Sequence, residues 1–268
     1  MTKNFEIDLP HGYTEILRVE VGSTVHGISV GNDDRDEMGV CIEPPEAVIG
    51  LSSFEQHTYR TAWERLPQGE GGPRRKGQPK SQPGDLDLII YSLRKWCRMA
   101  LTGNPTALLL LYSPVRIVDS PVGRELRELR EAFISRQVGN AFLKYLRQQR
   151  ERLEGSRGQK DVHRPDLEAK YAFDVKYASH VIRLGLQGLE FVQNRTITLP
   201  MIPEHRNHIQ AIRRGEIPYT DVIHEAQRLE TRLVSMLANH SLPTEPKESA
   251  VNQFLVRAYQ SVWRGSPD

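Results

Sequence analysis

The chain has 268 residues, 38% of them hydrophobic, which is long enough to bury the core of one large domain or two modest ones. A formal charge of +2, from 36 basic residues against 34 acidic ones, excludes a chain whose whole surface is built to grip nucleic acid, so only local clusters could do so. The two cysteines, Cys41 and Cys97, stand apart without ligand spacing, which excludes a disulfide framework and a cysteine zinc site.

Lys3, Glu6, Asp8, Glu15 and Arg18 interrupt the first 20 residues and leave no signal-peptide core. No apolar run approaches a membrane span, and Ala107–Tyr112 is far too short for one. The expectation is a soluble protein of a reducing cytoplasm, without a membrane partner. Glu15–Val21 alternates apolar and polar residues and breaks at Gly22-Ser23, the pattern of a strand running into a turn and a short helix. Asp34–Ile42 predicts a second strand, ended by Pro44-Pro45. Residues 67–84 are rich in glycine and proline and carry Arg74, Arg75, Lys76 and Lys80, the composition of a mobile basic loop. Asp87–Tyr91 predicts a third strand, with Ser92 capping a helix through Leu101 that Gly103-Asn104-Pro105 stops.

Beyond Pro121 the periodicity becomes helical, over Arg124–Phe133, Ala141–Leu153, Leu167–Phe191, Tyr219–Ala238 and Val251–Trp263. There is no internal repeat. The reading is an α+β fold, with a small mixed sheet and flanking helices over residues 1–118 and a mainly helical domain over 119–268.

The residue types in the first turn and second strand suit phosphate chemistry. Gly22 lets the backbone approach an anion closely, and Ser23 adds a hydroxyl and an N–H. Strand periodicity puts Asp34 and Asp36 on one face, where two such close carboxylates repel unless divalent cations lie between them. Hard oxygen ligands suit magnesium, and two ions would serve both the attacking hydroxyl and the leaving pyrophosphate of a nucleoside triphosphate. Lys176, His180 and Arg183 fall at i, i+4 and i+7, so one helix face would present them to a triphosphate or to solvent. His26, after the same turn, reads as a packing or substrate-contact residue, and His205 with His208 as a loop or exposed helix end without partner acids.

The stretches Gly22–Gly27 and Asp34–Val40 together resemble the signature of the polymerase β nucleotidyltransferase superfamily. The closer resemblance is to its RNA-repair-associated branch, carried by Tyr91–Trp96 with Gly103-Asn104-Pro105 and by Tyr171–Leu184. That resemblance implies a third carboxylate on a neighbouring strand, for which Asp87 fits the spacing, with Asp85 the alternative on the same face. It further implies transfer of a nucleoside monophosphate from a nucleoside triphosphate to a hydroxyl, with two magnesium ions, or manganese in their place, held by Asp34, Asp36 and Asp87. Gly22, Ser23, Lys176, His180 and Arg183 would bind the nucleotide. The implied acceptor is an RNA 3′ end, with a protein side chain or a small molecule as alternatives, and a non-catalytic nucleotide-binding protein as the rival class. Arg35 and Glu37 stand where the signature usually has apolar residues, which implies either a solvated opposite face or a later start to the strand.

Overall fold

The computed structural model describes residues 9–31, 33–67, 79, 81–155 and 165–265. β1 (Thr14–Val21) and β2 (Arg35–Ile42) are antiparallel neighbours, with the short helix α1 (Gly22–His26) between them in the chain. After α2 (Pro45–Val48) come β3 (Gln56–Arg60), a 3-10 turn over Thr61–Arg65, and β4 (Leu86–Ser92), which lies parallel to β2. With β5 (Arg116–Asp119) the sheet is five-stranded and mixed, in the order β3-β4-β2-β1-β5. The three strands predicted from sequence are its centre. The edge strands β3 and β5 contain no fully buried residue, so no apolar alternation marks them in the sequence.

The two faces of the sheet differ. Val19, Val21, Met38, Val40 and Ile42 join the main core beneath the helices. Cys41, Leu86, Leu88 and Ile90 form a smaller cluster covered by Leu9, Tyr13, Phe54 and Tyr59. Because side chains alternate along a strand, Asp36 and Asp87 project from the helix-covered face.

Ser92 caps α3 (Leu93–Leu101) by accepting from Lys95 N at 3.1 Å. The predicted stop after it is also a start. Asn104 accepts from Thr106 N and Ala107 N at 3.0 and 3.1 Å, Pro105 occupies the first turn, and the apolar run becomes the buried helix α4 (Pro105–Tyr112). The remaining helices are α5 (Pro121–Glu128), α6 (Arg136–Leu153), α7 (Pro165–Tyr171), α8 (Val175–Asn194), α9 (Pro203–Arg213), α10 (Tyr219–Asn239) and α11 (Glu248–Gly265).

Periodicity predicts one helix over Leu167–Phe191, and the structure divides it into α7 and α8. Ala172 has φ +67°, and Asp174 caps the new helix by accepting from Tyr177 N at 2.8 Å. Both pieces pack on the same core, so the apolar period continues across a break it cannot register.

α8 is held between α6 and α10. A Cβ on Gly188 would lie 3.0 Å from both Leu233 Cδ2 and Phe142 Cβ, so the absence of a side chain there lets the three helices close. The last helix returns to the sheet, where the Tyr259 hydroxyl donates to Glu43 Oε2 at 2.5 Å and Trp263 Nε1 to Glu43 O at 2.8 Å. One apolar cluster runs from Ile16 to Tyr259, across residue 118. No helix among the described residues is long and apolar enough to cross a membrane. Arg74, Arg75, Lys76 and Lys80 of the basic loop lie outside the described residues.

Candidate active site

Gly22, the first residue after β1, has φ +76°, and a Cβ there would meet the Asp36 carboxylate. Any side chain at this position meets that carboxylate, so glycine is required for steric as well as conformational reasons. Register does the rest: Val21 pairs with Asp36 across β1 and β2, and Asp36 with Asp87 across β2 and β4. Asp34, Asp36 and Asp87 each offer an oxygen within 4.8 Å of the others, and no other trio of histidine, cysteine or acidic residues among the described residues does so. Burial, then the charges of Asp34 and Asp87, push the Asp36 carboxyl up to about 7. Arg60 grips both oxygens of Asp87, with its Nε at 2.9 Å from Oδ1, and Ser81 Oγ donates to Oδ1 at 2.6 Å.

Two clefts of about 390 and 700 Å³ meet at Gly22, His26, His180 and Arg183. The smaller is cationic, with Lys176, Arg152, Arg183 and Arg213 around Ser23. The larger contains Asp36 and Asp87. Between them Arg183 donates to His26 Nε2 at 2.9 Å, Gln187 Oε1 at 2.9 Å and His180 Nδ1 at 2.7 Å. A guanidinium can only donate, so both imidazoles accept at those nitrogens and are neutral. Burial lowers Arg183 to about 10, and among the described residues no carboxylate pairs with it. His26, 1% exposed, is lowered well below its ordinary value by burial and then by the Arg183 charge. Lys176 Nζ comes within 4.0 Å of Asp34 Oδ1, so the cationic wall faces the carboxylates.

The sequence model described as RlaP, RNA repair pathway DNA polymerase beta family, matches residues 5–256. The chain belongs to that family. Among solved structures, a nucleotidyltransferase-like protein from Exiguobacterium sibiricum 255-15 is 9% identical, with 92% of this chain and 74% of that chain covered at a TM-score of 0.31. No curated protein matches. Membership marks the chain as a polymerase β-type nucleotidyltransferase, a class that implies a divalent metal, and the Asp34, Asp36 and Asp87 carboxylates offer hard oxygen donors for one.

Asp85 precedes β4 and turns away from the trio: its carboxylate accepts from Arg65 at 2.8 Å, Thr61 Oγ1 at 3.0 Å and Gln82 N at 2.6 Å, bonds that hold it below the usual carboxylate range. Lys176, His180 and Arg183 do share one cleft, with Arg183 half-buried on its wall. Arg35 and Glu37 also depart from expectation. β2 begins at Arg35, one residue later than predicted, yet the face is not solvated: Glu37 is 4% exposed, 2.5 Å from Arg35 and 3.3 Å from Arg18, which in turn lies 3.1 Å from Glu15. This buried ionic ladder occupies the opposite face of the sheet and leaves the carboxylate face untouched. His205 and His208 lie on α9, with His208 Nε2 2.7 Å from Glu225 of α10.

Sequence reasoning missed Arg60, Trp63, Arg152 and Arg213. Arg213, from α9, donates to Ile28 O at 2.8 Å and to Asp33 at 2.9 Å, while Asp33 accepts from Ser23 Oγ at 3.0 Å. The loop between the glycine-serine turn and the first acid is therefore fastened to a helix some 180 residues later in the chain. Asp33, adjacent to Asp34, was visible in the sequence. The arginines had no local signal.

Proposed function

We propose that this protein transfers a nucleoside monophosphate from a nucleoside triphosphate to a hydroxyl at an RNA 3′ end and releases pyrophosphate. One observation carries the reading: three clustered carboxylates border a cleft system whose other wall holds Lys176 and an arginine, Arg183, half-buried without an acidic partner among the described residues. Carboxylates repelling one another beside an uncompensated cation complement a ligand that is cationic at one end and polyanionic at the other, as a metal-bound triphosphate is.

Asp34, Asp36 and Asp87 would hold two magnesium ions, with manganese the alternative. Bound there, divalent cations make the attacking hydroxyl more acidic and neutralise charge on the leaving group. Arg183 and Lys176 offset the negative charge of the phosphates, with the neutral His180 ring beside them, and Gly22 and Ser23 present backbone and hydroxyl to them. The acceptor oxygen forms a bond to the α-phosphorus while the bridging P–O bond breaks, and its electron pair leaves with pyrophosphate. The hydroxyl proton passes to a carboxylate oxygen of Asp87, which Arg60 and Ser81 orient.

Incubation with α-labelled triphosphates, magnesium and total RNA tests this directly. Label on RNA, lost in Asp34→Ala and Asp36→Ala, is the expected result; label on protein or on nothing overturns it. Lys176 supplies a graded check. With its side chain 43% exposed, Lys176→Ala is expected to raise the apparent nucleotide constant about 10-fold and to change stability by less than about 0.5 kcal/mol. An unchanged constant removes Lys176 from the phosphate site.

A further inference from the structure

The larger cleft raises a question the cationic one does not, namely what enters beside Asp87. In-line displacement at phosphorus requires the attacking oxygen to arrive opposite the leaving group. With the phosphates in the smaller cleft, the acceptor approaches from the side of the carboxylates away from it, which is where the larger cleft lies. Its volume of about 700 Å³ is that of a small-molecule site and far exceeds what a serine or threonine side chain fills.

Its chemistry also differs from that of its neighbour. No lysine lines it, and its walls include Trp63, Tyr91, Ile89 and Leu109. Arg60 is engaged with Asp87 and Arg183 stands at the junction with the smaller cleft, so this cleft has two arginines on its walls against the three arginines and one lysine of its neighbour and is less suited to a run of phosphates. Trp63 and Tyr91 give the cleft two aromatic rings, and an aromatic face suits a planar group such as a nucleobase. Resting on the nucleotidyltransferase reading above, we propose that this cleft is the acceptor subsite and binds the 3′-terminal nucleoside of a single RNA strand, with Trp63 as its stacking residue.

Trp63 can be followed on its own. Of the three tryptophans, Trp96 is fully buried with its N–H on Ala107 O at 3.0 Å, and Trp263 is held on Glu43 O at 2.8 Å. Full-length protein with magnesium and a non-hydrolysable triphosphate would be titrated with a short single-stranded oligoribonucleotide ending in a 3′-deoxy nucleoside, reading tryptophan fluorescence. The expected result is a saturable change that disappears in Trp63→Phe. In turnover with a 3′-hydroxyl oligoribonucleotide, Trp63→Ala should raise its KM on the order of 10- to 100-fold, Trp63→Phe should raise it less, and the triphosphate KM should stay within about twofold in both. A general folding defect would move both constants together and would not be relieved by phenylalanine. A shift in the triphosphate KM alone means the cleft holds the donor base and overturns the subsite. So does an oligoribonucleotide KM indifferent to Trp63. A wild-type protein that binds no magnesium triphosphate overturns the transferase reading itself, an outcome distinct from normal nucleotide binding with an indifferent Trp63.

Discussion

Asp36→Asn is expected to abolish nucleotidyl transfer, by at least about 10³-fold, while raising Tm at pH 8 in the absence of divalent cations. The two effects have one cause. In the folded chain burial and the neighbouring Asp34 and Asp87 charges hold the Asp36 carboxyl at about 7, against 3.8 ordinarily. The unfolded chain therefore releases this proton near pH 4 and the folded chain only near 7. Stability from this residue is fully present below the unfolded pKa and is lost as pH rises towards and through about 7, by at most a few kcal/mol. Asparagine cannot ionise, so the variant escapes that loss at pH 8 and matches the wild type at pH 4. Magnesium should raise the Tm of the wild type and leave that of Asp36→Asn nearly unmoved. Thermal melts at the two pH values, with EDTA and with magnesium, check this beside the transfer assay. A Tm that falls at pH 8 would show that Asp36 stabilises the fold and is not a strained ligand awaiting a cation.

Arg183→Met is expected to weaken binding of the magnesium triphosphate about 30- to 100-fold, since a half-buried guanidinium contact to phosphate is screened less by water than an exposed one. Arg183 has no carboxylate to answer its charge among the described residues, and its hydrogen bonds go to His26, His180 and Gln187, all neutral there. Arg183→Lys keeps the charge but not the fork that reaches three acceptors, so it should restore part of the affinity and none of the rigidity. Isothermal titration with a non-hydrolysable triphosphate separates the two. Equal affinity in wild type, methionine and lysine variants would leave Arg183 as a packing residue. Because His26 is kept neutral well below its ordinary value, acid also works against this arrangement: its contribution to stability is full above about 6.5 and declines as pH falls below that value.

The carboxylate strand and the glycine-serine turn were legible because they are local. Val21-Gly22-Ser23 and Asp34–Ile42 announce themselves by alternation and by residue type, and both lie within one turn-and-strand unit. The third acid was legible only to within two residues. Asp85 and Asp87 share a parity, and what separates them is that Arg65, Thr61 and Gln82 N draw Asp85 into the preceding turn while parallel pairing sets Asp87 beside Asp36. The Lys176, His180 and Arg183 face was legible as a spacing, but whether it met water or a cleft depended on where α8 packed.

Arg35 and Glu37 show the limit from the other direction. Charged residues on a strand ordinarily indicate a wet face, and here Arg18 and Glu15 of the neighbouring strand make a buried ladder of it. The helix break at Ala172 and Asp174 was invisible for a related reason, because a periodic pattern records which face is buried and not whether the backbone is continuous.

By itself the sequence determined the elements whose signal is a short period or a local motif: the central strands, most of the helices, the acids at 34 and 36 and the glycine that makes room for them. Only the tertiary structure decided which distant groups face those acids. Asp87 and Arg60 arrive through strand pairing, Arg183 and Lys176 through helix packing, and Arg213 through a loop fastened across the chain. The division follows from range: propensity and periodicity act over a few residues, whereas electrostatic complementarity at a site acts between elements that only the folded core brings together.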